Sequence, residues 1–312
     1  MSAHATPKTP GQYFLGVDGG GSKTLAIIVD AQGHERGRGL AGSSNYAAVG
    51  IDQAVAGLRD AMEQAAQAVG CQLPLQAGWF GLAGVDRAED IHILRPHLRP
   101  LAAKITLTND AELLLSALEN TVGVALIAGT GSIALGRNAH GATTRAGGWG
   151  HILGDEGSGY ELGRLALQAV ARAADGRGAP TLLLERIMIH WHLEKPSDLI
   201  GVVYQDEDKA RIARLSSIVF SAVQAGDTIA RKIAQHAAQE LALAALTVIN
   251  ALNFPEGSIP LALGGGIFIY ESLFRTQVLH RIQRQRVIGP VVIVEEPALS
   301  AARALANAAP RK

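Results

Sequence analysis

Three short apolar runs in this chain each feed a glycine-rich turn, and few folds accommodate that pattern. The first is Phe14-Leu15-Gly16-Val17-Asp18-Gly19-Gly20-Gly21-Ser22-Lys23-Thr24, the second Ala125-Leu126-Ile127-Ala128-Gly129-Thr130-Gly131-Ser132, and the third Leu261-Ala262-Leu263-Gly264-Gly265-Gly266. Glycine tolerates positive φ and lets bare backbone N–H groups converge on an anion, which is what a polyphosphate site requires. One such turn proves little, because glycine also marks ordinary hairpins and bulges. Three of them, two with hydroxyl neighbours, point to ATP chemistry.

At 312 residues the chain suits two domains rather than one core. Hydrophobic residues make up 48% and charged residues 18%, a globular rather than a disordered composition. Lys+Arg and Asp+Glu balance at 28 each, so no broad basic field exists to attract nucleic acid or an anionic membrane. The single cysteine, Cys71, forms no internal disulfide and holds neither zinc nor an iron–sulfur cluster unaided. With no 18-residue apolar run and no apolar leader, a cytoplasmic protein without a membrane span is expected.

Local patterns fill in the order of elements. Runs 13–17 and 25–30 read as an antiparallel pair with the Asp18–Thr24 turn at its tip. Ile51, Val55, Leu58, Met62 and Val69 fall at helical spacing, with Gly70 as a stop. Runs 78–84 and 104–108 read as strands, and 110–118 as a helix that starts at Asn109 or Asp110. Asp110 is thus expected at a strand's carboxyl end, where α/β sheets present ligand-facing groups. A second lobe opens with a strand at 122–128 and contains a helix at 161–174. Two long amphipathic helices follow, at 212–223 and 229–248, broken near Gly226, and then strands at 259–263 and 291–294. The expected division is an N-terminal lobe, 12–119, to which a last helix at 299–312 returns, and a C-terminal lobe, 120–298. The apolar helices suit a core or a dimer face equally, so a homodimer stays open.

The stretch Gly147-Gly148-Trp149-Gly150-His151-Ile152-Leu153-Gly154-Asp155-Glu156-Gly157-Ser158-Gly159 resembles the sugar-pocket signature of one kinase group. That group is the N-acetylglucosamine kinases within the BadF/BadG/BcrA/BcrD-type ATPases, a branch of the sugar kinase, heat-shock chaperone and actin superfamily. The resemblance spans 13–307. It implies an α/β fold of two ribonuclease-H-like, actin-like ATPase domains with an interdomain cleft, which closes on ATP and an amino sugar. The activity it implies is phosphorylation of the 6-hydroxyl of N-acetylglucosamine. Glucosamine or another hexose is the alternative acceptor, and a non-catalytic sugar sensor is a further alternative.

The resemblance also distributes roles. Gly20, Gly21, Ser22, Lys23 and Thr24 form the first phosphate loop, Thr130 and Gly131 the second, and Gly264, Gly265 and Gly266 the adenosine loop. Asp18 faces Mg²⁺ directly or through its waters, with a turn-stabilising aspartate as its plainer reading. Asp110 is the general base and also contacts the sugar, with helix capping as its plainer reading. Asn45, Ser132, Ile133, Gly148, Trp149, Gly150 and Asp155 line the sugar, although tryptophan is more often a core aromatic. His151 and Glu156 are left outside the catalytic set. Related dehydratase activators need cysteines for an iron–sulfur cluster, and zinc-containing sugar kinases need His and several Cys. Cys71 alone disfavours both.

Overall fold

The computed structural model describes residues 12–85, 87–205, 208–255 and 257–309. The chain divides into two compact units: the first runs up to Thr121 and resumes at Glu296, and the second is Val122–Glu295.

Alternating apolar residues set the sheet of the first unit. In β1 (Phe14–Gly19) and β2 (Thr24–Val29), Leu15, Val17, Ala26 and Ile28 belong to one buried cluster, while Phe14, Ile27 and Val29 belong to another. A sheet apolar on both faces must be covered twice. The two strands pair antiparallel through Gly19 and Thr24, so the first glycine turn sits at the hairpin tip, as expected. β3 (Glu35–Ala41) extends the hairpin, and after the short α1 (Tyr46–Val49), α2 (Ile51–Val69) covers one face with Ala54, Leu58, Ala61, Met62 and Ala65. α2 stops at Gly70, which adopts the left-handed conformation. β4 (Leu75–Leu82) returns parallel to β1, and α3 (Ala88–Leu98) leads to β5 (Ala102–Thr108), parallel to β4. The order is β3-β2-β1-β4-β5.

The C-terminal helix (Pro297–Ala308) covers the other face, with Ala298, Ala302 and Ala306 against Phe14, Ile27, Val29 and Ala77. The approach is backbone to backbone: a Cβ on Gly16 would lie 1.8 Å from the Ala298 carbonyl oxygen and 2.9 Å from the Ala302 nitrogen. The last positions of the helix expected at 299–312, residues 310–312, lie outside the described residues.

In the second unit, β6 (Gly123–Ala128), β7 (Ser132–Arg137) and β8 (Thr143–Gly147) form an antiparallel meander. Six helices follow: α4 (Gly159–Ala174), α5 (Leu182–His190), α6 (Asp198–Tyr204), α7 (Lys209–Ala213), α8 (Ser216–Gln224) and α9 (Thr228–Ala251). β9 (Ile259–Gly264) then joins β6 in parallel, and α10 (Gly266–Tyr270) and α11 (Ser272–Gln283) carry the chain to β10 (Ile288–Val294), parallel to β9. The helix expected at 212–223 is therefore two, interrupted between Ala213 and Ser216, whereas the break at Gly226 is present. Ala237, Ala238, Leu241, Ala245 and Ile249 of α9 pack on Val124, Leu126, Leu261 and Leu263.

Read from β8, the second sheet has the order β8-β7-β6-β9-β10, the same meander-plus-two-parallel arrangement as the first. The two units thus share one topology without a visible sequence repeat, and both are ribonuclease-H-like. Among the described residues no helix is long and apolar enough to cross a membrane.

Replacing Gly16 by alanine forces the C-terminal helix off β1. The expected cost is about 3 kcal/mol or more, at or beyond the upper end for an overpacked core. Urea unfolding measures it, with Gly21→Ala, whose Cβ would meet nothing within 4 Å, as the near-neutral control.

Candidate active site

Strand register brings two carboxylates to one edge of the first sheet. Asp18 pairs with Gly81 across β1 and β4, and Gly81 pairs with Thr108 across β4 and β5, so all three stand level at the carboxyl ends of parallel strands. Asp110 follows two residues later, as the first residue of the helix expected there, which is a 3-10 helix (Asp110–Ala117). The cap belongs to Asn109, whose Oδ1 accepts from Ala111 N at 2.9 Å. An Asp110 carboxylate oxygen accepts from the same N–H at 2.9 Å. Burial and then the like charge of Asp110 raise the Asp18 pKa to about 6, against the lowering influence of Lys23.

The first glycine turn leaves a specific set of groups open. Gly20 N donates to Lys23 O at 2.9 Å, so its amide closes the turn instead of facing a ligand. The N–H groups of Gly21 and Ser22 donate to no described residue, and Gly21, Ser22 and Lys23 are exposed. Thr24 corrects the sequence expectation. It is fully buried, and its hydroxyl donates to Gly42 O at 2.7 Å, so it anchors the 42–45 loop rather than a phosphate. In that loop Asn45 caps α1, its Oδ1 accepting from Ala47 N and lying 2.8 Å from where a Cβ on Gly84 would be. Its amide nitrogen donates to no described residue. Behind it, the Tyr46 hydroxyl donates to Asp90, which also pairs with Arg87 at 2.9 Å.

The second unit holds the other two turns together. Gly129 N donates to Gly131 O at 2.9 Å, while Gly129 O and Thr130 O accept from Gly159 N (2.8 Å) and Tyr160 N (3.2 Å), which staples the turn to the start of α4. Ser158 caps that helix, so Glu156 does not. Gly265, at φ 89°, permits a contact no other residue would: a Cβ there would lie 2.4 Å from Ala128 O and 2.9 Å from Gly129 N. Gly129, Thr130 and Gly266 line one cavity of about 580 Å³, together with Arg214, Phe220, Tyr270 and Glu271. Burial holds the Glu271 carboxyl above its ordinary range.

The signature segment folds back on the second turn. Gly148 N donates to Ser132 O at 3.1 Å, and a Cβ on Gly148 would lie 2.6 Å from Ile133 Cδ1. The Ser132 hydroxyl donates to Glu156 O at 2.7 Å. Asp155, at φ 60° and buried, accepts from Ser132 N at 3.4 Å, and its carboxylate lies 3.0 Å from where a Cβ on Gly131 would be. Ser132, Ile133, Gly148 and Asp155 therefore form one cluster. Trp149 is 66% exposed beneath the Arg145 guanidinium, so it is not a core aromatic. His151 rests edge-on against Tyr160.

Sequence reasoning missed Arg214, Phe220, Tyr270 and Glu271. Arg214 and Phe220 lie far upstream of the third turn, and no local motif marks them. The helix directly after that turn was the one available signal, for Tyr270 and Glu271. Among the described residues, no group of three or more His, Cys, Asp or Glu side chains is arranged to hold a metal ion.

Residues 15–303 match the BadF/BadG/BcrA/BcrD ATPase family. The N-acetylmuramic acid/N-acetylglucosamine kinase of Clostridium acetobutylicum is 36% identical over 261 residues, 82% of this chain and 85% of the relative. The N-acetyl-D-glucosamine kinase of Dictyostelium discoideum is 34% identical over 271 residues, again 82% and 85%. A crystal structure of a candidate N-acetylglucosamine kinase from Chromobacterium violaceum superposes with a TM-score of 0.74 at 26% identity, over 94% of this chain and 99% of that one. With its matched span, its paired sheets and its glycine turns in agreement, this chain belongs to the BadF/BadG/BcrA/BcrD ATPase family.

Proposed function

We propose that this protein is an ATP-dependent kinase that phosphorylates the 6-hydroxyl of N-acetylglucosamine. The observation that carries the reading is the pair Asp18 and Asp110 at the carboxyl edge of the first sheet, in a chain 34–36% identical to kinases named for that sugar.

Phosphoryl transfer is mainly positioning and neutralisation of charge. Asp110 accepts the proton of the attacking hydroxyl, a role that typically contributes about 10²–10⁴-fold. The amides of Gly21 and Ser22 donate to phosphate oxygens, with Lys23 as countercharge. Gly131, Gly264 and Gly265 shape the nucleotide turns, and Thr130 and Gly266 open on the cavity that takes the nucleoside. Asp18 would hold Mg²⁺ directly or through its waters, and the ion would supply neutralisation of phosphate charge; an ion that keeps several waters would need only one or two protein carboxylates. Asp18 fits that requirement, since a cation beside it would relieve its burial and its repulsion by Asp110. Asn45, Asp155 and the 148–150 segment with Trp149 hold the sugar, and Ser132 and Ile133 support them. Resemblance to the Clostridium kinase, which is named for both sugars, favours N-acetylmuramic acid as a second acceptor.

A coupled ADP assay with N-acetylglucosamine, N-acetylmuramic acid, glucosamine and glucose ranks the acceptors. Absence of sugar-dependent ADP release with all four would remove the kinase reading. Asp110→Asn is expected to keep sugar binding and lower turnover by about 10²-fold or more; unchanged turnover assigns Asp110 to capping. Asp155→Ala is expected to raise the KM for sugar more than that for ATP, whereas an equal loss assigns it to holding the Gly131 turn.

Asp18 supplies a pH test. Its native-state pKa is raised, so the native state binds the proton more tightly than the unfolded chain. Stability therefore falls as pH rises from the ordinary carboxylate range near 4 to about 6, and the penalty is complete above that. Asp18→Asn should stabilise the metal-free protein at pH 7.5 by about 1–3 kcal/mol and by almost nothing at pH 4, while activity is lost. Thermal melts across that range measure it, and equal melting points at pH 7.5 would contradict it.

A further inference from the structure

α9 and the end of α11 line a second, open cavity of about 510 Å³ within the second unit, which shares no lining residue with the one at the glycine turns. Arg281, Arg284 and Gln285 line it at the end of α11, and Gln239, Leu243 and Leu246 line it from α9. None of its lining residues is acidic. Neither guanidinium has a hydrogen bond or ion pair with a described residue, and the Arg281 Nε is buried with no partner.

Basic residues at a helix C-terminus complement its dipole, which accounts for the charge at this position. It does not account for a buried N–H without an acceptor. Such groups are rare in folded proteins and point to an absent partner. Two guanidiniums one helical turn apart, with no carboxylate between them, favour a dianion over a single negative charge. Their planar forks match phosphate oxygens. The volume exceeds the needs of an ion alone and falls in the range of small-molecule sites. The amides of Gln239 and Gln285 and the apolar strip of Leu243 and Leu246 suit a short polyhydroxy body.

We propose that this cavity binds a small phosphomonoester, its phosphate held by Arg281 and Arg284 and its organic part lying along Gln239, Gln285 and Leu243.

Calorimetric titration of the full-length protein, with ADP and N-acetylglucosamine saturating, tests this with glycerol 3-phosphate and inorganic phosphate as probes. One saturable site per chain is expected, with glycerol 3-phosphate binding more tightly. The double variant Arg281→Met, Arg284→Met keeps the apolar stems and removes the forks. It should weaken binding at least 10-fold while leaving the melting point and the KM values for both substrates unchanged. Should that variant fold poorly, Leu243→Glu places a competing carboxylate at a site already 55% exposed and should weaken binding likewise. No saturable heat from either probe, or unchanged binding in the variants, overturns the proposal. Equal affinity for the two probes overturns the monoester and leaves only a phosphate ion site.

Discussion

Parallel pairing of β1, β4 and β5 is the constraint on which the candidate chemistry rests. Register levels Asp18, Gly81 and Thr108, and through them sets how closely Asp18 and Asp110 approach. A slip of one residue in β5 would turn every side chain to the opposite face and separate the pair. The core opposes that slip, because Leu107 of β5 is buried in the same cluster as Leu15 and Val17 of β1. The site is thus positioned by a core that does not take part in the reaction. The raised pKa of Asp18 is the local cost of that placement.

The second unit solves a different problem, holding bare backbone still without a lining of large side chains. It does so by mutual contact: the third turn rests on the second at Ala128 and Gly129, and the second is fastened to α4 through Gly159 and Tyr160. Asp155 closes the arrangement from the side, its carboxylate against Gly131 and Ser132 N. Preorganised amides of this kind need no rearrangement when charge develops on a bound phosphate, which is where electrostatic catalysis gains most.

Much of this was legible in the chain. Glycine turns after apolar runs located all three loops, and the short apolar runs themselves located β1, β2, β4 and β6, because strands buried on both faces leave a strong continuous apolar signal. β3 was illegible for the opposite reason: Glu35, Arg36 and Arg38 are exposed and its two buried positions, Gly37 and Gly39, carry no side chain, so the segment reads as loop. β8, with Thr143, Thr144 and Arg145 at a sheet edge, gave no apolar pattern either. α11 carries only a narrow apolar stripe, Phe274, Val278 and Ile282, among otherwise polar and exposed positions. The Thr24 hydroxyl was misassigned because sequence places it beside Ser22 but cannot show that it turns inward to Gly42. The residues around the larger turn cavity come from segments some 50 residues apart, and only the fold assembles them.

The C-terminal helix seated on Gly16 has a further consequence, for synthesis. The first unit lacks one of its two coverings until residues 297–308 have been made, so Phe14, Ile27, Val29 and Ala77 go without that cover while the whole of the second unit is synthesised. The second unit is contiguous and has all its own segments earlier. The first unit is therefore completed only after the second, with one apolar sheet face waiting for a segment some 200 residues downstream.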